Sequence, residues 1–195
     1  MSPSTVSELN QKIDATIEAW RQRPIEGEHP YVDLDGLWLK RSWGGEVRNV
    51  AVLVAVGVGA DGYREILGVA EGTKEDQQSW RSFLRYLKER GLKRVKLVIS
   101  DKGLGLLEAL AEFYPEAQWQ RCMVPWYRNV FTVTPRGRRK EVAAMRKAIH
   151  GQEDRQAARQ KAEAVAQKLE SMKLAQAAAM VRAGVRDAFL HGVSA

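Results

Sequence analysis

Cysteine, histidine and long apolar runs are all scarce in this chain of 195 residues. The single cysteine, Cys122, excludes an internal disulfide and fits a reducing compartment. The three histidines are scattered, so the ligand spacing of a zinc site is missing. No apolar run approaches the ~20 residues that span a bilayer, and the N-terminus has no signal-peptide pattern. We therefore expect a cytoplasmic protein that does not contact the membrane.

The net charge of +7 is concentrated in one part of the sequence. Between residues 128 and 147 the only acidic residue is Glu141, whereas seven residues are basic: Arg128, Arg136, Arg138, Arg139, Lys140, Arg146 and Lys147. A surface of this kind attracts polyanions, and nucleic acid is the commonest polyanion in a cytoplasm. A solvated loop and helix face explains the same charges equally well.

The first third of the chain predicts a helix followed by three strands. Residues 1–23 have apolar side chains every three or four positions, which indicates an N-terminal helix. Residues 24–30 contain the prolines and glycine of a linker. The segments 31–41, 49–58 and 63–70 are rich in valine, leucine, isoleucine and aromatic residues, and hairpin-turn sequences separate them. Three consecutive antiparallel strands follow from this pattern.

Helices and strands then alternate. The spacing predicts a helix from about Lys74 to Arg90, a strand over 95–100, a helix over 103–113 and a strand over 117–121. A hairpin meander followed by such crossovers makes a mixed sheet covered by helices. The resulting order, β-β-β-α-β-α-β, is the ribonuclease H-like one, so we predict an α/β fold of that class.

The composition changes beyond Pro135. Residues 138–190 are dominated by alanine, glutamine, lysine, arginine and glutamate, and their helical stripes predict two or three helices. We therefore divide the chain into an N-terminal helix (1–23), an α/β core (24–135) and a helical region (136–195).

Two aspartates occupy strand positions in this scheme. Asp35 lies in the first predicted strand and Asp101 at the end of the fourth, and the predicted topology makes these strands neighbours. Neighbouring strands lie ~4.8 Å apart, so both carboxylates can bind the same one or two cations. Oxygen ligands select Mg²⁺ or Mn²⁺. Two points stay open: Asp101 is also a good cap for the following helix, and Asp33, on the face of Asp35, is either an auxiliary ligand or a solvated residue.

Several motifs then follow one another in a fixed order: LDGLWLKRSWGG from Leu34, GYREILG from Gly62, ISDKGLGL from Ile99, WQRC from Trp119, YRNV from Tyr127 and MRKAIH from Met145. Together these motifs resemble bacterial insertion-sequence transposases of the mutator family, from about Thr5 to about Asp187. The resemblance implies DNA transposition by metal-dependent strand cleavage and transfer. A ribonuclease H-type nuclease is a further alternative.

The resemblance also implies a set of site residues and partners. The family has a ribonuclease H-like core, interrupted by a helical insertion, with an Asp-Asp-Glu triad that binds Mg²⁺ or Mn²⁺. Asp35 matches the first acid and Asp101 the second. The implied partners are insertion-sequence ends and target DNA, together with a second copy or a full-length transposase, and the implied location is the bacterial nucleoid.

No residue matches the third acid, a glutamate that follows the helical insertion in the family. The other acids considered do not replace it convincingly: Glu71, Glu108, Glu112, Glu153 and Asp154. We therefore expect an incomplete core, a truncated insertion, weak metal binding and no activity of the isolated chain. The alternative function is that of a catalytically inactive remnant that acts as a DNA-binding or dimerising fragment.

Arginines and aromatic residues alternate between positions 119 and 128. Arg121 and Arg128 are interleaved with Trp119, Trp126 and Tyr127, a mixture that contacts DNA backbones and stacks on bases. Alternatively, the aromatic residues are core and the arginines pair with carboxylates. The predicted DNA-binding residues are Arg121, Arg128, Arg136, Arg138, Arg139 and Lys140.

A second local feature is a proline. Where the family has Cys-x-x-His, this chain has Cys122-Met123-Val124-Pro125. Proline cannot act as a base, a hydrogen-bond donor or a ligand. We expect it also to disturb the helix there.

Overall fold

The computed structural model describes residues 3–72, 76–101 and 103–188. Within them lie five β-strands and seven α-helices, so the protein is a mixed α/β protein, and the elements up to β5 follow the predicted order. Their bounds are α1 (Pro3–Gln22), β1 (Tyr31–Trp43), β2 (Glu46–Val58), β3 (Arg64–Gly72), α2 (Gln77–Glu89), β4 (Leu97–Ser100), α3 (Leu104–Phe113), β5 (Gln118–Arg121), α4 (Met123–Thr132), α5 (Arg139–His150), α6 (Arg155–Ser171) and α7 (Ala175–Ala188).

The chain divides into two compact units. Unit 1 is drawn from residues 1–97 and 103–117, and unit 2 from residues 98–102 and 118–195. Among the described residues, no helix combines the length and the hydropathy that crossing a membrane requires.

Unit 1 is built on the antiparallel strands β1, β2 and β3. The β1–β2 ladder runs from the Tyr31–Val58 pair to the Trp43–Glu46 pair. Its turn residues, Gly44 and Gly45, have φ values of 59° and 83°, which a type I′ hairpin turn requires and which glycine adopts without strain. The predicted three-stranded meander is therefore confirmed.

The two faces of β2 differ in burial. Ala51, Leu53 and Ala55 are buried, whereas the residues between them are only half-buried. Helix α2 contributes Trp80, Phe83, Leu84 and Leu87 to the core of the unit. It packs so closely on β3 that a methyl group at Gly68 would lie 2.8 Å from Leu87 Cδ2. The predicted apolar stripe of α2 thus forms one wall of the core.

Unit 2 contains the predicted helical region, and three helices, α5, α6 and α7, are found there. Its core combines them with α4 through the buried side chains of Trp126, Tyr127, Val130, Val142, Ile149, Ala158, Ala162, Val165, Ala166, Leu169, Ala177, Ala178, Val181 and Val185. The many alanines let the helices approach closely, which explains the alanine-rich composition.

The expected disturbance by Pro125 is wrong. Helix α4 begins at Met123, so Pro125 is its third residue, and the helix continues to Thr132. The first four N–H groups of a helix have no intrahelical acceptor, so proline loses no hydrogen bond in this turn.

Helix α7 packs on Trp126 at a glycine. The Trp126 indole Nε1 donates a hydrogen bond to the carbonyl oxygen of Met180, 2.9 Å away. A Cβ atom at Gly184 would lie 2.0 Å from the same indole ring. The glycine is therefore required for the close approach of α7 to α4.

We expect Gly184→Ala to lower the free energy of unfolding by about 1–3 kcal/mol, because the added methyl group overpacks the core despite the better helix propensity of alanine. Urea denaturation measures this change. Gly137→Ala is the matched control, since no atom lies within 4 Å of its added Cβ. Equal stability of both variants would contradict the close packing of α7 on Trp126.

Candidate metal and nucleic-acid site

Asp35 lies in the middle of β1, opposite Val54 of β2, which confirms its predicted strand position. Its neighbours along the strand, Val32 and Leu34, are buried. Because side chains alternate along a strand, Asp33 and Asp35 point to the other face. Asp35 is exposed there and takes no part in the core.

Asp33 shares this face but has a partner. Its Oδ2 lies 3.7 Å from Nη2 of Arg64, and its side chain is half-buried rather than fully solvated. Burial raises the pKa of Asp33, and the Arg64 guanidinium partly opposes this rise. Asp33 is thus an ion-paired neighbour of Asp35.

Asp101 directly follows β4, as predicted, but it does not cap the next helix. The N-cap residue of α3 is Gly103, which provides no side-chain hydrogen bond. The capping alternative is therefore wrong. Instead, Asp101 Oδ1 lies 3.7 Å from Nη2 of Arg121, whose side chain is 18% exposed against 52% for that of Asp101.

Ser100 connects Asp101 to strand β5. Its buried hydroxyl donates to the carbonyl oxygen of Asp101 at 2.9 Å and accepts a hydrogen bond from Trp119 Nε1 at 2.8 Å. The backbone N–H of Cys122 donates to the Ser100 carbonyl at 2.6 Å. These bonds hold the end of β4 against the end of β5 and place Arg121 beside Asp101. Trp119 is therefore tied down by a hydrogen bond and half-buried, not free to stack on a base.

Three of the other acids have structural partners. Glu71 pairs with Arg41 at 3.2 Å, Glu112 accepts a hydrogen bond from Arg81 Nε at 2.6 Å, and Asp154 caps α6 through the backbone N–H of Ala157. Over residues 3–72, 76–101 and 103–188, no three histidine, cysteine, aspartate or glutamate residues lie close enough together to hold a metal.

Most of the predicted DNA-binding residues are exposed. Arg128 lies on α4, and the other four form a segment that we call the basic turn: Arg136, Arg138, Arg139 and Lys140. The basic turn consists of residues of a short 3₁₀ turn, Arg136–Arg138, and the first two residues of α5. Within it, Arg138 pairs with Glu141 at 3.2 Å, and Arg139 donates to the carbonyl oxygen of Thr134 at 3.3 Å.

The basic turn lies at the N-terminal end of α5, where the helix dipole is positive. Cations at this end repel the dipole instead of complementing it, so they do not stabilise the helix. The positive charges of these side chains act in the same direction as the positive end of the helix dipole. Together they attract an anion.

The aromatic part of the DNA-binding hypothesis is wrong for two residues. Trp126 and Tyr127 are 2% and 4% exposed, and their rings stack on each other with centroids 4.4 Å apart. Both belong to the core of unit 2. The alternative, that these aromatic residues are core, is correct for them.

A cluster that was not predicted from the sequence surrounds Tyr127. The guanidinium of Arg146 lies 5.0 Å from the centre of the Tyr127 ring and 5.8 Å from that of Phe131. The His150 ring meets Tyr127 edge-on at 4.9 Å. Burial raises the pKa of Tyr127, and Arg146 opposes this effect. Burial, and then the charge of Arg146, lower the pKa of His150 from 6.5.

Comparison with known proteins decides the family. The model of a family described as "Transposase, Mutator family" matches residues 1–191. The chain belongs to the mutator family of transposases. The resemblance stated from the motifs is thereby confirmed.

Individual relatives agree with this assignment. The chain is 42% identical over 135 residues to the transposase for insertion sequence element ISRM5 of Rhizobium meliloti, covering 69% of this chain and 34% of that protein. It is 33% identical over 195 residues to the transposase for IS256 in transposon Tn4001 of Staphylococcus aureus, covering 99% of this chain and 50% of that protein. The chain thus spans a third to a half of the length of these two relatives.

Solved structures add little. One match is the structure of the HTLV-2 integrase catalytic core domain in complex with magnesium. The matched region covers 82% of this chain and 86% of the integrase chain, at 11% sequence identity. Its TM-score is 0.28, and a likeness this low carries no argument.

Two motifs of the mutator family meet in the Tyr127 cluster. Tyr127 begins the YRNV motif, and Arg146 and His150 belong to the MRKAIH motif. Their spacing of about one helical turn in α5 places Arg146 and His150 on one face, which is the only signal in the sequence for this contact. In this transposase chain, both motifs therefore contribute to the packing of unit 2.

The lowered pKa of His150 predicts a loss of stability in acid. Above its ordinary pKa of 6.5, His150 is neutral in both the folded and the unfolded chain, so it adds no pH dependence. As the pH falls below 6.5, the unfolded chain takes up the proton first, and the folded state loses stability. Urea unfolding between about pH 8 and about pH 5 should therefore show a smaller loss for His150→Gln than for the unsubstituted chain.

The difference between the two proteins at about pH 8 is the control, because it reports lost packing alone. An equal acid-induced loss in both proteins would show that His150 is not responsible.

Proposed function

We propose that this chain acts in the transposition of an insertion sequence, as the part of a mutator-family transposase that supplies Asp35 and Asp101 to metal-dependent cleavage and transfer of DNA strands. One observation carries the proposal. Both aspartates of the family motifs are exposed carboxylates, Asp35 within the predicted first strand and Asp101 directly after the predicted fourth, where it faces the guanidinium of Arg121. Asp35 contributes nothing to the core, and Asp101 does not cap a helix.

The proposal includes the sheet order of a ribonuclease H-like fold, with β1 beside β4. The element order along the chain supports it. Neighbouring strands lie ~4.8 Å apart, so this order would bring the two carboxylates within reach of one ion. The placement of β1 beside β4 thus rests on the order of the elements and on membership of the mutator family.

Mg²⁺ fits the chemistry of these residues. This ion prefers oxygen ligands, keeps several waters, and is bound in proteins through one or two carboxylates together with substrate phosphates. Since Asp35 and Asp101 are both exposed, a hydrated ion and a phosphate can reach them. A bound Mg²⁺ or Mn²⁺ would neutralise charge on the phosphoryl group that reacts.

Arg121 has a defined part in this proposal. Its guanidinium faces Asp101 and is largely buried, so it is held in place at the end of β5. It balances the carboxylate charge when no ion is bound. With Asp101 bound to a cation, the guanidinium of Arg121 would be available to donate a hydrogen bond to a phosphate oxygen of the DNA.

We infer that the 195-residue chain alone binds Mg²⁺ weakly and does not cleave DNA, because no residue in it matches the third acid of the family. A second candidate function is that of a DNA-binding or dimerising fragment. The exposed basic turn beside the positive end of α5 favours this function.

Binding of Mn²⁺, followed by electron paramagnetic resonance, tests the metal ligands. We expect Asp35→Asn and Asp101→Asn each to weaken binding by at least about tenfold, because each removes a charged oxygen ligand. The control is Glu116→Gln, which removes an exposed carboxylate outside the site. Unchanged binding in both aspartate variants would refute the proposed site.

A strand-cleavage assay on the ends of the element separates the two candidate functions. The isolated chain should show no cleavage above background in Mg²⁺ or Mn²⁺. Cleavage that Asp35→Asn abolishes would establish the site as complete and would remove the inference of inactivity.

The salt dependence of DNA binding tests the basic turn. Replacing its four cations by alanine should reduce the slope of log K against log salt by up to ~3.6, since each phosphate contact contributes ~0.9. The measurement is fluorescence anisotropy of duplex DNA over a series of salt concentrations.

The matched control removes four exposed cations from α6 and the turn that follows it: Arg159→Ala, Lys161→Ala, Lys168→Ala and Lys173→Asn. Asparagine is chosen at Lys173 because its φ is 61°. The control changes the net charge equally, so similar slopes in both variants would show that the basic turn does not contact phosphates.

A further inference from the structure

Helix α1 has an uncovered apolar side. All its side chains from Ser4 to Ala19 are exposed. Four of them are large and apolar, with exposed fractions of 45% to 54%, and with the half-buried Trp20 they form what we call the α1 stripe: Val6, Leu9, Ile13, Ile17 and Trp20. The spacing of three, four, four and three residues keeps these side chains on one side of a helix ~30 Å long.

The C-terminal end of α1 is anchored within unit 1. The Tyr86 hydroxyl donates to the carbonyl oxygen of Arg21, and Arg90 Nε donates to that of Arg23 at 2.8 Å. The Arg23 guanidinium lies 4.7 Å from the Trp20 ring centre. Most of the stability of a helix in a protein comes from packing of its apolar face, so we expect the stripe to have a partner surface.

The charge of α1 argues against DNA or a membrane as this partner. The helix contains three acids (Glu8, Asp14, Glu18) and two basic residues (Lys12, Arg21), which gives a net charge of −1. DNA binding requires an excess of cations. Helices that lie on membranes have a polar face rich in lysine and arginine.

We propose that α1 pairs in parallel with α1 of a second copy of this chain. A pair with two-fold symmetry along the helices brings each residue of the stripe against its own counterpart, so one surface covers the other completely. The proposal rests on the partner named above, a second transposase chain, and identifies the surface that binds it.

The charges beside the stripe specify the parallel orientation. Lys12 and Asp14 lie about 100° to either side of Ile13, on opposite flanks of the stripe. In a parallel pair each flank lies beside the opposite flank of the other helix, so Lys12 faces Asp14 of the partner subunit, twice by symmetry. An antiparallel pair centred on Ile13 would place like charges beside each other, which is unfavourable.

Sedimentation equilibrium of the full chain without DNA is the first test. The unsubstituted chain should dimerise, and Ile13→Asp should raise the dimer dissociation constant by at least about tenfold, because it buries a charge in the interface. The matched control, Gln11→Asp, adds the same charge about 200° away from Ile13, on the opposite side of α1, and should leave dimerisation unchanged. Circular dichroism confirms that both variants are folded.

Disulfide cross-linking tests the orientation. In a Cys122→Ser background, Leu9→Cys should form a linked dimer on oxidation, because the two copies of this residue meet in a parallel pair. In an antiparallel pair they would lie ~12 Å apart along the helix axis and would not react. Gln11→Cys is the control and should stay unlinked.

Three results would overturn the proposal: a monomer at concentrations up to about 0.1 mM, a dimer insensitive to Ile13→Asp, or a dimer in which Leu9→Cys does not cross-link. Because the measurements use neither DNA nor metal, a failed cleavage or metal-binding assay leaves this result unaffected. Conversely, a monomer would leave the metal ligands untouched.

Discussion

The alternation of side chains along β1 is the constraint on which the candidate site depends. Val32 and Leu34 are buried, and hydrogen bonding to β2 brings Leu53 and Ala55 to the same face. The burial of this face fixes the register of β1 against β2. A shift of one residue would bury the Asp35 carboxylate and expose Val32 and Leu34. The apolar core of unit 1 therefore positions the carboxylate that we assign to metal binding.

In unit 2, Trp126 and residues of two family motifs contribute to the packing of the helices. Trp126 fixes α7 through its hydrogen bond to Met180 and its contact with Gly184. The ring of Tyr127 contacts the side chains of both Arg146 and His150. Charged and polar groups stacked on an aromatic ring bury apolar surface while their polar ends reach solvent. The arrangement therefore depends on residues that lie far apart in the sequence, Tyr127 in α4 and Arg146 and His150 in α5.

Secondary structure and the two aspartates were predictable because they depend on local patterns. Alternating apolar residues indicated β1 to β3, and the Gly44-Gly45 pair specified the turn between β1 and β2. Predictions that depended on neighbours distant in sequence were less successful. Pro125 was expected to break a helix, but its effect depends on where that helix begins. Asp101 was a plausible cap until Gly103 proved to occupy the cap position.

By itself, the sequence determined the order of helices and strands, the family, and the presence of two carboxylates at strand positions. These properties follow from periodicity and from motifs, which are local in the chain. The tertiary structure decided which side chains are accessible: it buried Trp126 and Tyr127, left the basic turn and the α1 stripe exposed, and set Arg121 beside Asp101. Whether a side chain is buried or paired depends on residues that pack against it from distant parts of the sequence. A local sequence pattern therefore does not predict it.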